Sequence, residues 1–155
     1  DGRGRRGRHW VSPAGSNIYL SVAWRYAGST DLSGLSLALG VAAGNALEDI
    51  GLIGTGLKWP NDLVWRGRKL GGILIEAFSN PNSGTTVIAG IGINIHLPKQ
   101  QAEDIDQPWT DIQRILGRPV SRNQLAGRLL HQLLTTLNRF ADDGLSPWLH
   151  QYAER

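Results

Sequence analysis

No cysteine occurs in the 155 residues, which excludes a disulfide framework and any thiolate nucleophile or metal ligand. Methionine is absent too, even at position 1. A translated chain begins with one, so the sequence reads as an internal piece of a longer protein. Lysine is scarce, limited to Lys58, Lys69 and Lys99. No apolar run reaches the ~18 residues a membrane-spanning helix needs, because charges or glycines interrupt each stretch. No charged-then-apolar leader precedes a cleavage site, so a cytoplasmic location is expected. What is present, 41% hydrophobic and 19% charged residues, can bury a core and suits one compact domain.

The net charge of +3 is local. Residues 1–8, DGRGRRGR, carry four arginines and one acid, which leaves twelve basic and twelve acidic groups elsewhere. A general nucleic-acid binder spreads Lys and Arg along a face to follow many phosphates. Here one loop is basic and the remainder is neutral, a pattern that suits a single small polyanion.

Residues 17–26 alternate Ile18, Leu20, Val22 and Trp24 against Tyr19, Ser21, Ala23 and Arg25, which predicts a strand with one buried face. Residues 34–50, rich in Leu and Ala, predict a helix capped by Ser33 and ending near Gly51. Strands are expected at 57–59 and 63–65 about a Pro60-Asn61-Asp62 turn. Two more follow at 70–78 and 85–97, separated by a loop at 80–84. Ser121 and Gln124 make a capping-box pattern ahead of Leu125, Leu129, Leu133, Leu137 and Phe140 at helical spacing, with Gly144 as the stop. A further helical turn or two fits 146–154. Strands first and helices later predict an α+β domain, with helices on one face of a mixed, largely antiparallel sheet.

Four motifs carry chemistry. In Gly2-Arg3-Gly4-Arg5-Arg6-Gly7-Arg8, glycines let the backbone close on a ligand and guanidinium forks match phosphate or carboxylate oxygens. A frayed basic end or an arginine-rich nucleic-acid-binding arm fits the same composition. His9 and Trp10 offer rings on which an adenine can stack, although a lone Trp also suits a core. Lys58-Trp59-Pro60-Asn61-Asp62 is good turn chemistry, and equally places an amide and a carboxylate within reach of a ribose, a triphosphate or its Mg²⁺. Arg68-Lys69-Leu70-Gly71-Gly72-Ile73 opens an apolar strand with an ammonium beside two glycines. That suits a bound anion or an ordinary exposed lysine. The glycines of Gly90-Ile91-Gly92-Ile93-Asn94 fit a flat ligand lying on the sheet or a close helix, and are no dinucleotide fingerprint. His9, His96, His131 and His150 lack i, i+4 pairing and predict no metal site.

GRGRRGRHW, KWPND, RKLGGILIE and GIGINI, in that order and spacing, resemble the biotin–protein ligases over nearly the whole chain. The resemblance implies a catalytic domain related in fold to class II aminoacyl-tRNA synthetases. Its implied activity makes biotinyl-5′-AMP from biotin and ATP, with Mg²⁺ held by the ATP phosphates. Biotin then passes to a lysine of the biotin carboxyl carrier domain of acetyl-CoA carboxylase or a related carboxylase. By the same resemblance Arg3, Gly4 and Arg5 belong to a loop closing over biotin and the adenylate phosphate, with Arg6 beside them. Trp10 packs on adenine, and Lys69 contacts the biotin carboxylate and phosphoryl oxygens. Gly72, Ile73, Gly90 and Gly92 form the wall for the biotin ring. Asn94 contacts adenine, Asn61 and Asp62 lie near ATP and metal, and Lys69 and Arg5 are the expected catalytic residues. Residues 1–155 are then one partial catalytic domain, without the family's upstream biotin-binding strand and C-terminal β-barrel. A homodimer is open. DNA binding would need an N-terminal helix-turn-helix outside this sequence. The rival within enzymes is a lipoate-type ligase using the same acyl-adenylate chemistry.

Overall fold

A computed structural model describes residues 2–7, 9–28, 30–80, 84–103 and 105–155, with the side chains of His9 and Lys99 also set aside. Arg8, the His9 ring and the middle of the expected 80–84 loop therefore lie outside the described residues.

Five antiparallel strands form the main sheet in the order β3-β7-β6-β5-β4. They are β3 (Asn17–Tyr26), β4 (Thr55–Lys58), β5 (Asp62–Trp65), β6 (Arg68–Asn80) and β7 (Gly84–Asn94). Every ladder within it is antiparallel. The expected mixed character reduces to one isolated parallel bridge, between Lys69 and Trp109. Ahead of it, β1 (Gly2–Arg3) and β2 (His9–Trp10) pair as a small hairpin around a 3-10 turn at Arg5–Gly7.

Period-two alternation sorts the long strands into two faces. Ile18, Val22 and Tyr26 of β3 are buried with Ile73 of β6 and Val87, Ala89, Ile91 and Ile93 of β7. α1 (Leu35–Glu48) and α3 (Arg122–Asp143) pack together and cover that face. α1 is buried nearly all round, from Leu35 through Ala43 to Leu47, whereas α3 turns Leu125, Leu129, Leu133, Leu137 and Phe140 inward. The Tyr26 hydroxyl donates to the Leu137 carbonyl at 3.0 Å and ties β3 to α3. Arg155, after α4 (Leu149–Ala153), pairs with Glu48 at 2.7 Å and donates to the Thr55 carbonyl, joining α1 to β4.

Two sequence expectations need correction. Ser33 does not cap α1: the N-cap is Gly34, at φ 83°, without a side-chain cap bond. Ser33 N–H instead donates to Asp31 Oδ1, and a side chain at 34 would meet Leu145, so glycine is required there. The strand at 85–97 ends at Asn94, and a short helix, α2 (Ile112–Leu116), follows unannounced. Ser121 caps α3 as expected, its hydroxyl accepting from Gln124 N–H. Among the described residues no helix is long and apolar enough to cross a membrane.

Burial pushes the Tyr26 phenol up to about 12. The neutral form is thus favoured by folding, and its stabilising share is complete below pH 10 and lost as pH climbs through 12. Unfolding free energy should fall across that alkaline window, and Tyr26→Phe should flatten the fall. A second expected result is a loss of about 0.5–1.5 kcal/mol at neutral pH in the variant, from the missing hydroxyl bond. Urea melts at pH 7 to 12 check both.

Candidate active-site cleft

The face of the sheet opposite the helices is open, and its register explains where the motifs meet. Asp62 pairs with Gly72, Gly72 with Gly92, and Gly92 with Tyr19, so one row crosses four strands. Its two central positions carry no side chain and leave a slot in the floor.

Lys69 reaches this face through a bulge. Leu63 opposes Gly71 but Val64 opposes Lys69, so Leu70 is one residue extra on β6. Strict alternation from Gly72 would send Lys69 to the helix side. The extra residue puts Leu70 into the core, fully buried, and turns Lys69 to the cleft. There its Nζ lies 2.8 Å from Asp62 Oδ1, with both side chains about one-fifth exposed. Asn61 braces the neighbouring turn: its Nδ2 donates to the Ile73 carbonyl at 2.8 Å, and Ile73 N–H donates back to the Asn61 carbonyl.

The Trp10 ring lies in the slot. A Cβ added to Gly2, Gly92 or Gly72 would come within 2.9, 3.0 or 3.4 Å of that ring. Lys69 Nζ stands 5.2 Å from the ring centre, within range for a cation–π contact. The indole Nε1 is buried without a hydrogen-bond partner, an uncompensated donor facing the glycine floor. The β1–β2 hairpin that delivers the ring passes through Arg6 at φ 57° and Gly7 at φ 72°. Gly2 N–H donates to Ser12 Oγ and fixes its start.

Together these elements enclose a cleft of about 1020 Å³. Arg3, Gly4, Arg5, Arg6, Trp10, Asn61, Asp62, Lys69, Gly72, Gly90 and Gly92 all line it. Ile73 lines it too, but its buried side chain approaches Gly40 of α1, so its share of the wall is backbone. Asn94 does not line the cleft. It is 5% exposed, its Oδ1 accepting from Asn17 Nδ2 and its Nδ2 donating to the Thr110 carbonyl at 3.1 Å. Motif reasoning passed over Tyr19, Leu74, Glu76, Arg122 and Asn123, which also line the cleft. Tyr19 and Leu74 carried a signal in their strand period, whereas Arg122 and Asn123 arrive only through the placement of α3. Burial raises the Tyr19 phenol above its ordinary range, and its bond from Asn17 opposes that shift in part.

Five cationic side chains (Arg3, Arg5, Arg6, Lys69 and Arg122) face two carboxylates, Asp62 and Glu76, so the cleft suits an anionic ligand. Among the described residues no group of three or more His, Asp or Glu could hold a metal ion.

Residues 1–94 match the sequence profile of the biotin/lipoate A/B protein ligase family. The chain belongs to that family. A bifunctional ligase/repressor BirA from Salmonella typhimurium is 40% identical over 152 residues, 97% of this chain and 47% of the relative. A biotin–[acetyl-CoA-carboxylase] ligase from Mycobacterium tuberculosis is 36% identical over 145 residues, 85% of this chain and 48% of the relative. The chain thus spans about half the length of these biotin/lipoate ligase relatives. Among solved structures, the biotin protein ligase of Aquifex aeolicus in complex with biotin and ATP superposes with a TM-score of 0.79 at 30% identity. It covers 97% of this chain and 62% of that one. The Leishmania major enzyme in complex with biotinyl-5-AMP gives 0.77 at 26% identity, over 99% of this chain and 66% of that one. The α+β architecture is that of the family's biotin protein ligases.

A methyl at position 92 must displace the indole. Gly92→Ala should shift the Trp10 contribution to fluorescence and cost about 1–3 kcal/mol in unfolding free energy. Gly127→Ala, in open space on α3, serves as the control that changes neither adversely.

Proposed function

We propose that the chain carries the adenylate-forming centre of a biotin–protein ligase. It joins biotin to ATP as biotinyl-5′-AMP, then passes biotin to a lysine of a carboxylase's carrier domain. The observation that carries this reading is the convergence of the arginine-glycine hairpin and Lys69 on one glycine-floored cleft. The relatives' printed activities and the biotin, ATP and biotinyl-5-AMP of the superposed structures support it.

In the first step a carboxylate oxygen of biotin bonds to the α-phosphorus while the bond to pyrophosphate breaks. Two anions must meet, and the cost of bringing them together sets the barrier. Arg3 and Arg5 from the hairpin and Lys69 from β6 supply positive charge on both sides of the reacting centre. Arg6 lies beside them and faces the polyphosphate. Magnesium enters with the nucleotide, as the Mg–ATP substrate, because among the described residues the cleft offers only Asp62 and Glu76 as carboxylates. Asn61 holds the turn that presents Asp62. Gly72, Gly90, Gly92 and the Ile73 backbone form the wall for the biotin ring once the Trp10 ring swings out of the slot over Gly72 and Gly92 to stack on the adenine.

The hairpin then acts as a roof. A mixed anhydride hydrolyses readily, and the roof limits water at the acyl carbon. In the second step the carrier amine attacks that carbon, the bond to the phosphate oxygen breaks, and AMP leaves with the electron pair. The amine must shed a proton. Asp62 takes it in this reading, once Lys69 turns from the carboxylate to the acyl phosphate.

Two rival readings have less support. A lipoate ligase belongs to the same family, but the Mycobacterium tuberculosis relative is named for a biotin activity and the superposed structures hold biotin or biotinyl-5-AMP. A nucleic-acid-binding arm would extend from the domain, whereas Gly2 and Arg3 pair back with residues 9 and 10, and residues 2–6 line the cleft.

Pyrophosphate exchange into ATP, assayed on the intact protein, should depend on biotin and not on lipoate. Exchange driven by lipoate alone would reassign the substrate. Lys69→Ala should lower that exchange about 10²–10³-fold. Its unfolding free energy should change by less than about 1 kcal/mol, because the Asp62 pair is partly solvated.

A further inference from the structure

β7 leaves the sheet at Asn94, one residue after Ile93 pairs with Gly71, so β6 loses its neighbour just where Lys69 begins. Residues 108–110 take that neighbour's place. Lys69 N–H donates to the Pro108 carbonyl, and Thr110 N–H donates to the Lys69 carbonyl, both at 2.9 Å. The main chain of Lys69 is therefore held by a strap from a remote part of the sequence, in addition to the bulged pairing with β5.

Within residues 108–110 the strap meets the end of β7 through Asn94, and just beyond it Leu97 N–H donates to Asp111 Oδ2 at 3.1 Å and Gln113 N–H donates to the Ile95 carbonyl at 3.0 Å. Asn94 Nδ2 donates to the Thr110 carbonyl at 3.1 Å, and Ile95 N–H donates to Asn17 Oδ1 at 3.0 Å while Asn17 Nδ2 reaches Asn94 Oδ1. Asn17, Asn94 and Thr110 are all buried. On the far side, Arg114 stacks on the Trp109 ring at 4.1 Å and pairs with the fully buried Asp111 at 3.2 Å. That closes the strap against α2.

We propose that Asn94 is a positioning residue for Lys69: its amide splices the 108–110 strap to the end of β7 and so sets the backbone from which the ammonium reaches the cleft. A ladder bond would normally hold such a position, and here the ladder has ended. At Thr110 itself, the residue bonded to the Lys69 carbonyl, the Asn94 side-chain amide replaces it. The energy of one buried hydrogen bond is modest, but it acts on a lysine whose misplacement by an ångström uncouples it from its ligand. The proposal rests on the reading of Lys69 as the cation that meets the biotin carboxylate.

The test uses the intact protein with Asn94→Asp, whose carboxylate accepts from Asn17 but cannot donate to Thr110. Two readouts are taken: amide exchange at Lys69 and Thr110, and biotin affinity without nucleotide, with Lys69→Ala alongside. Protection at Lys69 and Thr110 should fall about tenfold while that of Ile73 and Ile75 holds, and biotin should bind about tenfold more weakly. Unchanged protection and biotin affinity, with only the KM for ATP raised, would overturn the proposal in favour of a direct nucleotide contact. Should Asn94→Asp fail to fold, Asn94→Ser carries the same comparison, since its hydroxyl cannot span to the Thr110 carbonyl. If Lys69→Ala leaves biotin binding intact, the functional reading of Lys69 fails, and the exchange data still decide whether the splice exists.

Discussion

Which face of the sheet Lys69 serves is decided by one extra residue. With Leu70 bulged out of register, the ammonium and the glycine pair of β6 share a face, and the apolar side chain between them drops into the core. Regular pairing would bury a lysine beneath α1, which charge desolvation forbids, and would leave the cleft without its ammonium. The remaining cleft geometry follows from that register. The row from Asp62 through Gly72 and Gly92 to Tyr19 brings three separated motifs together, and the β1–β2 hairpin closes over it with its arginines.

The two layers divide the work. One face of the sheet, with α1 and α3, is a conventional apolar core that needs nothing from a ligand. The other face bears the bare glycine floor, a single ammonium–carboxylate pair and a tryptophan whose indole N–H finds no partner. Such unfilled capacity is tolerated where a ligand is meant to bind. Packing against the helices makes the floor rigid, so the charges above it hold fixed positions at little reorganisation cost.

Much of this was legible in the residues. The alternation through residues 17–26 and the leucine spacing of 125–140 reveal β3 and α3, because each element buries one face and repeats its own period. Ser121 declared the start of α3, whereas Ser33 misled, since a hydroxyl one residue before a left-handed glycine caps nothing. α2 was invisible: five residues between Asp111 and Gly117 are too short to establish a period. The motif set identified the cleft, but which way its side chains point was less accessible. The face that Lys69 serves depends on the bulge, Ile73 contributes backbone only, and Asn94 is spent on a strap more than a dozen residues downstream. Register shifts and long-range splices leave little local trace, which is why they escaped.

The central claim is that the hairpin and β6 act on the same anion. A double-mutant cycle on Arg5→Ala and Lys69→Ala, read as affinity for biotinyl-5′-AMP by the intact protein, tests it directly. Two cations meeting one phosphate in a secluded cleft should couple by more than about 1 kcal/mol. Effects that add to within about 0.5 kcal/mol would mean that the two groups serve separate sites, contradicting the account.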